Sequence, residues 1–188
     1  MFIQTEATPN PATLKFMPGK PVLPTGTRDF RDPAEAGEAS PLAARLFEID
    51  GVEAVFLATD FISVSKGDNE DWQHLRPAVL GAIMEHYMSD APVVTDDEDE
   101  QADGGETHAE EDAETVQTIK ELLDTRVRPA VAQDGGDITF HSYRDGVVYL
   151  HMRGACAGCP SSTATLQQGI ENLLRHFVPE VQSVRPVM

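Results

Sequence analysis

Cys156 and Cys159 are the only thiols in this 188-residue chain, and they stand in a C-x-x-C spacing within G-A-C-A-G-C-P-S-S at 154–162. Two thiolates three positions apart can grip one metal centre from the same side, or cycle between dithiol and disulfide. Tetrahedral zinc and iron–sulfur sites take four such donors, and a single chain brings two. Either a second copy supplies the other pair, or the cysteines do redox work alone. As inert packing they would want apolar company. Their neighbours Gly154, Ala155, Ala157 and Gly158 are small instead, which predicts sulfurs open to something large.

Residues 147–153 alternate and are rich in β-formers, so they predict a strand. Leu166, Ile170, Leu173, Leu174 and Phe177 recur at helical spacing. The cysteines therefore fall in a short turn between strand and helix, with Pro160 suited to the first helical turn. A helix N-terminus offers unpaired N–H groups and partial positive charge, which favour thiolate over thiol. Arg153 could add to that effect, although a surface arginine at a strand end is the plainer reading. His151 shares a strand face with Arg153 and could approach the turn as a further ligand; an ordinary strand histidine is the simpler expectation. Ser161, Ser162 and Thr163 are expected to cap the helix, no base partner being in view. Asp134 and Asp137 lack the carboxylate spacing of a calcium loop and predict a structural turn.

Around this motif the second half reads as α-β-β-α-β. Val116, Ile119, Leu122, Leu123 and Val127 predict a helix from about 114 to 132, ended by Q-D-G-G-D at 133–137. Strands at 138–143 and 147–153 join through Arg144-Asp145-Gly146, and a last strand falls near 181–185. The first half reads as β-β-α-β-β-α, with strands at 2–6, 14–17, 52–59 and 61–65 and helices from Ser40-Pro41 and over 71–88. Residues 19–38, rich in Pro and Gly, predict mostly loop. Between the halves, 96–114 hold 11 of the 32 acidic residues and no Lys or Arg, a composition unable to bury enough surface to fold. The expected fold class is α+β: two small α+β domains, 1–90 and 114–188, joined by a flexible acidic linker at 91–113.

The formal net charge of −18 argues against nucleic acid or an anionic membrane as partner. No apolar run approaches the roughly 18 residues of a membrane span. In the first domain His74 and His86 lack ligand spacing, Trp72, Met84 and Met88 are expected in the core, and nothing looks catalytic. Its expected task is partner recognition.

D-G-G-D at 134–137 and M-R-G-A-C-A-G-C-P-S-S-T-A-T-L-Q-Q-G-I-E at 152–171 resemble the NifU-type C-terminal domain of the Nfu iron–sulfur scaffold and carrier family. M-F-I-Q-T-E-A-T-P-N-P-A-T-L-K-F-M-P-G-K at 1–20 resembles that family's N-terminal domain. The resemblance implies a non-enzymatic carrier that holds a 4Fe–4S cluster between two subunits, with a 2Fe–2S form left open. Cys156 and Cys159 would be the ligands, the homodimer would form on cluster binding, and the partners would be upstream cluster donors and apo iron–sulfur clients. The opening residues have neither a basic n-region nor an apolar h-region, so a bacterial cytosolic protein is expected over a processed organellar form. A thiol–disulfide oxidoreductase is the alternative, although that fold needs a βαβ unit before the motif where this chain has a helix and hairpin. A zinc-bridged dimer is the third reading.

Overall fold

The computed structural model describes residues 1–95, 108–157 and 160–187, the last stretch by backbone alone at 160–162. It divides into two compact units, Met1–Gln101 and Ala102–Met188. Both mix helix and sheet, as the α+β expectation requires. The expected linker lies mostly outside the described residues. Its first five residues belong to unit 1: Ser40 Oγ donates to the Val93 carbonyl at 2.5 Å, and Thr95 N donates to the Ala39 carbonyl at 2.9 Å.

Unit 1 is a five-stranded antiparallel sheet in the order β1-β2-β5-β4-β3, backed by three helices. The strands are β1 (Gln4–Ala7), β2 (Thr13–Met17), β3 (Arg28–Phe30), β4 (Val52–Leu57) and β5 (Ile62–Lys66). The helices are α1 (Pro33–Ala39), α2 (Pro41–Phe47) and α3 (Trp72–Met88). Each starts on a side-chain cap: Asp32, Ser40 and Asp71 accept from Ala34 N, Ala43 N and Gln73 N. Such caps satisfy amides that the helix itself leaves free. The core gathers Phe16, Phe30, Leu42, Leu46, Val55, Leu57, Ile62, Val79 and Ile83, all nearly or wholly buried. Two elements depart from the sequence reading of 19–38 as loop. β3 is a three-residue strand whose place is set by pairing with β4, Arg28 opposite Leu57 and Phe30 opposite Val55. α1 has a sound start signal in Asp32-Pro33, outvoted by its glycine and charge. Of the expected core residues, Trp72 packs near Phe16, with ring centroids 6.4 Å apart. Met84 and Met88 are instead exposed on α3.

Unit 2 opens with a single turn at Glu110–Asp112, then α4 (Ala113–Leu122), a π-helical turn (Leu123–Val127) and α5 (Arg128–Gln133). The sequence predicted one continuous helix here. Pro129 explains the wide turn, since it lacks an N–H and its ring crowds the carbonyl four residues back. β6 (Gly136–Arg144) and β7 (Val147–Gly154) form an antiparallel hairpin; α6 (Pro160–Phe177) then crosses to β8 (Ser183–Val187), which lies parallel to β7. The sheet is thus mixed, β6-β7-β8, and the cysteine turn is the strand-to-helix connection of its crossover. Val116, Ile119, Leu123, Ile138, Leu150, Leu174 and Val184 form the core between helices and sheet. Among the described residues no helix is long and apolar enough to cross a membrane.

His86 is 1% exposed in unit 1, and among the described residues neither ring nitrogen makes a hydrogen bond of good geometry, the Ala91 and Pro92 backbone lying nearby. Burial first, and then the Arg45 charge, hold its pKa below the usual 6.5; the Ala91 and Pro92 backbone oppose them. The folded state therefore binds fewer protons than the unfolded one. Its contribution is complete above the ordinary histidine value and is lost as the pH falls through the depressed one. We expect the wild-type urea midpoint to fall, relative to that of His86→Leu, between about pH 7.5 and about pH 5.5. Parallel midpoints across that window would show that His86 does not couple protons to folding.

Candidate functional site

The site is built where the end of β7 meets the start of β6. Gly154 closes β7 with φ at 64°, a backbone region that glycine enters without cost. The chain then turns, Ala157 N donating to the Gly154 carbonyl at 3.1 Å. Ala155 N donates to the Gly135 carbonyl at 3.2 Å, which fastens the turn to the D-G-G-D segment. On the helix side, the Thr163 hydroxyl donates to the Cys156 carbonyl at 3.2 Å. That hydroxyl ties the helix back to the turn.

Cys156 is only 6% exposed and belongs to the core of unit 2. The expectation of open sulfurs is corrected for this residue: small neighbours let the turn fold inward, so its thiol packs instead of projecting. Gly136 makes the room. A β-carbon there would lie 2.6 Å from Cys156 Sγ, 2.7 Å from the Arg153 carbonyl oxygen and 3.1 Å from Cys156 N. Cys159 lies outside the described residues, as do the side chains of Ser161 and Ser162.

Asp137 anchors the same corner. It is 4% exposed, and its carboxylate accepts from Arg128 Nε and Nη2, both at 2.9 Å, and from the Ile138 amide at 2.9 Å. Arg128 also donates to Asp124 at 3.1 Å. The hydrogen bonds to Asp137 push the guanidinium pKa well above its ordinary range. A buried carboxylate satisfied on both oxygens is a structural element, as the sequence reading of Asp137 expected. That reading missed Gly136 and Arg128. The D-G-G-D run was visible, but not the thiol that its second glycine would meet.

Among the described residues, His151 is placed beside another histidine. The ring partner the structure gives it is His141, with centroids 4.7 Å apart. Burial, then His141 and Arg153, depress its pKa. Among the described residues no group of three or more His, Cys, Asp or Glu side chains could hold a metal ion.

Two family models match the chain: the Nfu/NifU scaffold protein N-terminal domain over residues 3–90, and the NifU-like domain over 119–185. The human mitochondrial NFU1 iron-sulfur cluster scaffold homolog is 51% identical over 189 residues, covering all of this chain and 72% of that protein. Mitochondrial NifU-like protein 5 of Arabidopsis thaliana is 48% identical, covering 98% of this chain and 67% of its own length. The mitochondrial NFU1 homolog of Drosophila sechellia is also 48% identical, with 65% of its length covered. A solution structure of a NifU-like protein from Saccharomyces cerevisiae aligns with 52% of this chain and 87% of its own at a TM-score of 0.46 and 23% identity. The chain belongs to the Nfu/NifU scaffold family. The expectation of a bacterial cytosolic protein is corrected by these relatives, which are mitochondrial forms. The opening residues lead into β1 and specify sheet packing; a compartment does not follow from them.

Gly136→Ala should lower unfolding stability by about 1–3 kcal/mol, because backbone atoms close to its β-carbon cannot yield as a side-chain tip can. Gly169→Ala in α6, where a β-carbon meets nothing within 4 Å, is the control and should be neutral or slightly stabilising. Thiol labelling should also quicken at Cys156 in the Gly136 variant, as the turn is forced outward. Equal urea midpoints and equal labelling for the two variants would remove Gly136 from the site. Asp137→Ala, which strands Arg128 and the Ile138 amide, should cost on the order of 2 kcal/mol in the same measurement.

Proposed function

We propose that this chain holds an iron–sulfur cluster as cargo and passes it to apo-proteins, with Cys156 and Cys159 as its thiolate ligands. The observation that carries the reading is the C-x-x-C spacing of the chain's two cysteines, the first of which lies in the turn that follows β7. Its relatives' names, iron-sulfur cluster scaffold among them, support the same reading. Four thiolates per cluster and two per chain require two copies, with the cluster on their two-fold axis. A 4Fe–4S cluster suits that arrangement. The cluster–thiolate assembly is anionic, and the free amides at the start of α6 favour negative charge beside them.

Cys156 must first leave its pocket against Gly136. The turn moves out by giving up the Ala155–Gly135 and Thr163–Cys156 hydrogen bonds, two neutral contacts worth about 1 kcal/mol each. The covalent change in transfer is ligand exchange: an incoming client thiolate forms an iron–sulfur bond as a carrier thiolate leaves, with no net electron transfer. A ligand set divided between two chains, one sulfur of which has a buried alternative place, is readily given up. This reading gives the chain no catalytic role. Unit 1 brings no thiol and is assigned to recognition of donors and clients.

Anaerobic reconstitution with iron and sulfide should give a brown protein with one cluster per two chains by native mass and iron content. Substituting Cys156→Ala or Cys159→Ala should each abolish stable loading. A loaded monomer, or loading that survives both substitutions, would overturn the assignment. A colourless dimer holding zinc, or dithiol turnover by a metal-free monomer, would replace it with the zinc-bridged or the oxidoreductase reading.

A further inference from the structure

Away from the cysteine turn, the hairpin of unit 2 brings two imidazoles together through an irregularity in its ladder. Thr139 on β6 pairs with His151 on β7, so His141, two residues on, shares that face. The register then shifts between Phe140 and Ser142: Phe140 faces Leu150, and Ser142 already faces Tyr149. His141 is the extra residue of this bulge. A bulge bends its strand and re-aims side chains, and here it sets the His141 and His151 ring centroids 4.7 Å apart, with planes at 80°. It also puts Ser142 Oγ 3.0 Å from His141 Nδ1. Ser142 is itself buried, so this contact fixes the ring. With Nδ1–H as donor, Nε2 carries the free lone pair.

Metal–imidazole bonds of about 2.1 Å place a ring centroid roughly 3.2 Å from the ion. Two imidazoles on one ion then have centroids roughly 4.5 Å apart at a right angle and roughly 5.2 Å apart at the tetrahedral angle. The observed separation lies between these values. We propose that His141 and His151 form a two-imidazole site for a borderline divalent transition ion such as Cu2+, Ni2+ or Zn2+, with water in the remaining positions. Imidazole donors select such ions over Mg2+ and Ca2+. The serine contact is the kind of outer partner that orients a ligating histidine. Arg153, two residues beyond His151 on the same strand face, opposes added positive charge, and two donors fall short of the four of a structural site, so the affinity is lower than that of a structural site. The site uses neither cysteine and stands independently of cluster carriage.

The test uses Cu2+, which binds such donors most tightly in the divalent series, and the full chain carrying Cys156→Ser and Cys159→Ser to remove competing thiols. Circular dichroism checks each variant's fold. One equivalent of Cu2+ should bind, with an electron paramagnetic resonance spectrum split by two nitrogens. His141→Gln and His151→Gln should each weaken binding about tenfold or more and remove one nitrogen coupling; Ser142→Ala should weaken it less. Copper binding that is absent, or unchanged in both histidine variants, overturns the site. If the serine background does not fold, substoichiometric Ni2+ added to the full chain carrying Cys156→Ala and Cys159→Ala decides the matter. Ring-proton resonances of His141 and His151 should broaden before those of His74, His108 and His176, and uniform broadening counts against the proposal.

Discussion

Cys156 Sγ occupies the space that a β-carbon on residue 136 would need. Unit 2 is arranged around that close approach. For a strand to pass so near the cysteine turn, its first residue must lack a side chain, and something must hold the strand in place. Asp137 does so from inside, with both carboxylate oxygens taken by Arg128 from the helical side. The Gly135 carbonyl completes the junction by accepting from Ala155. Four neighbouring residues therefore have four jobs: ending a helix, receiving the turn, clearing space for sulfur and anchoring a strand. Individually these contacts are modest. Their concentration in one corner gives the thiol a defined resting place.

That resting place shapes the proposed chemistry. A sulfur held within the core is shielded from oxidants and stray metals, because reactivity follows thiolate character and access. A sulfur held by a few weak bonds and a glycine contact can also be released, and a strand-to-helix turn can move without disturbing the ladder behind it. Burial and lability are compatible because the hydrogen bonds that hold Ala155 and Cys156 to their neighbours are neutral and individually weak. Unit 1 is a separate compact unit. It has its own core and its own capped helices, and no thiol.

Much of the architecture was legible in the sequence because the local signals agreed with the global fold. Ser40-Pro41 and Asp71 start helices where capping chemistry says they should, and Asp145-Gly146 turns the hairpin. Elements carrying little periodic information were missed. β3 has three residues and exists because β4 offers an edge; α1 is short and its composition resembles a loop. The π-helical turn before Arg128 could have been suspected from Pro129, yet the apolar stripe runs through it and hides the break. The bulge at His141 left no sign at all, since one extra residue in an alternating run is invisible until the partner strand is known.

The sequence by itself confined the expected chemistry to that of two thiols three residues apart, before a predicted helix start, in a chain with no other thiol to add. Residue type and spacing along one local segment suffice for that, because the turn is built from consecutive residues. Only the tertiary structure decided that Cys156 faces inward, that Gly136 is what it faces, and that His141 meets His151. Those facts depend on which strands pair and in what register. Pairing joins residues far apart along the chain, and no local pattern records the distance between them.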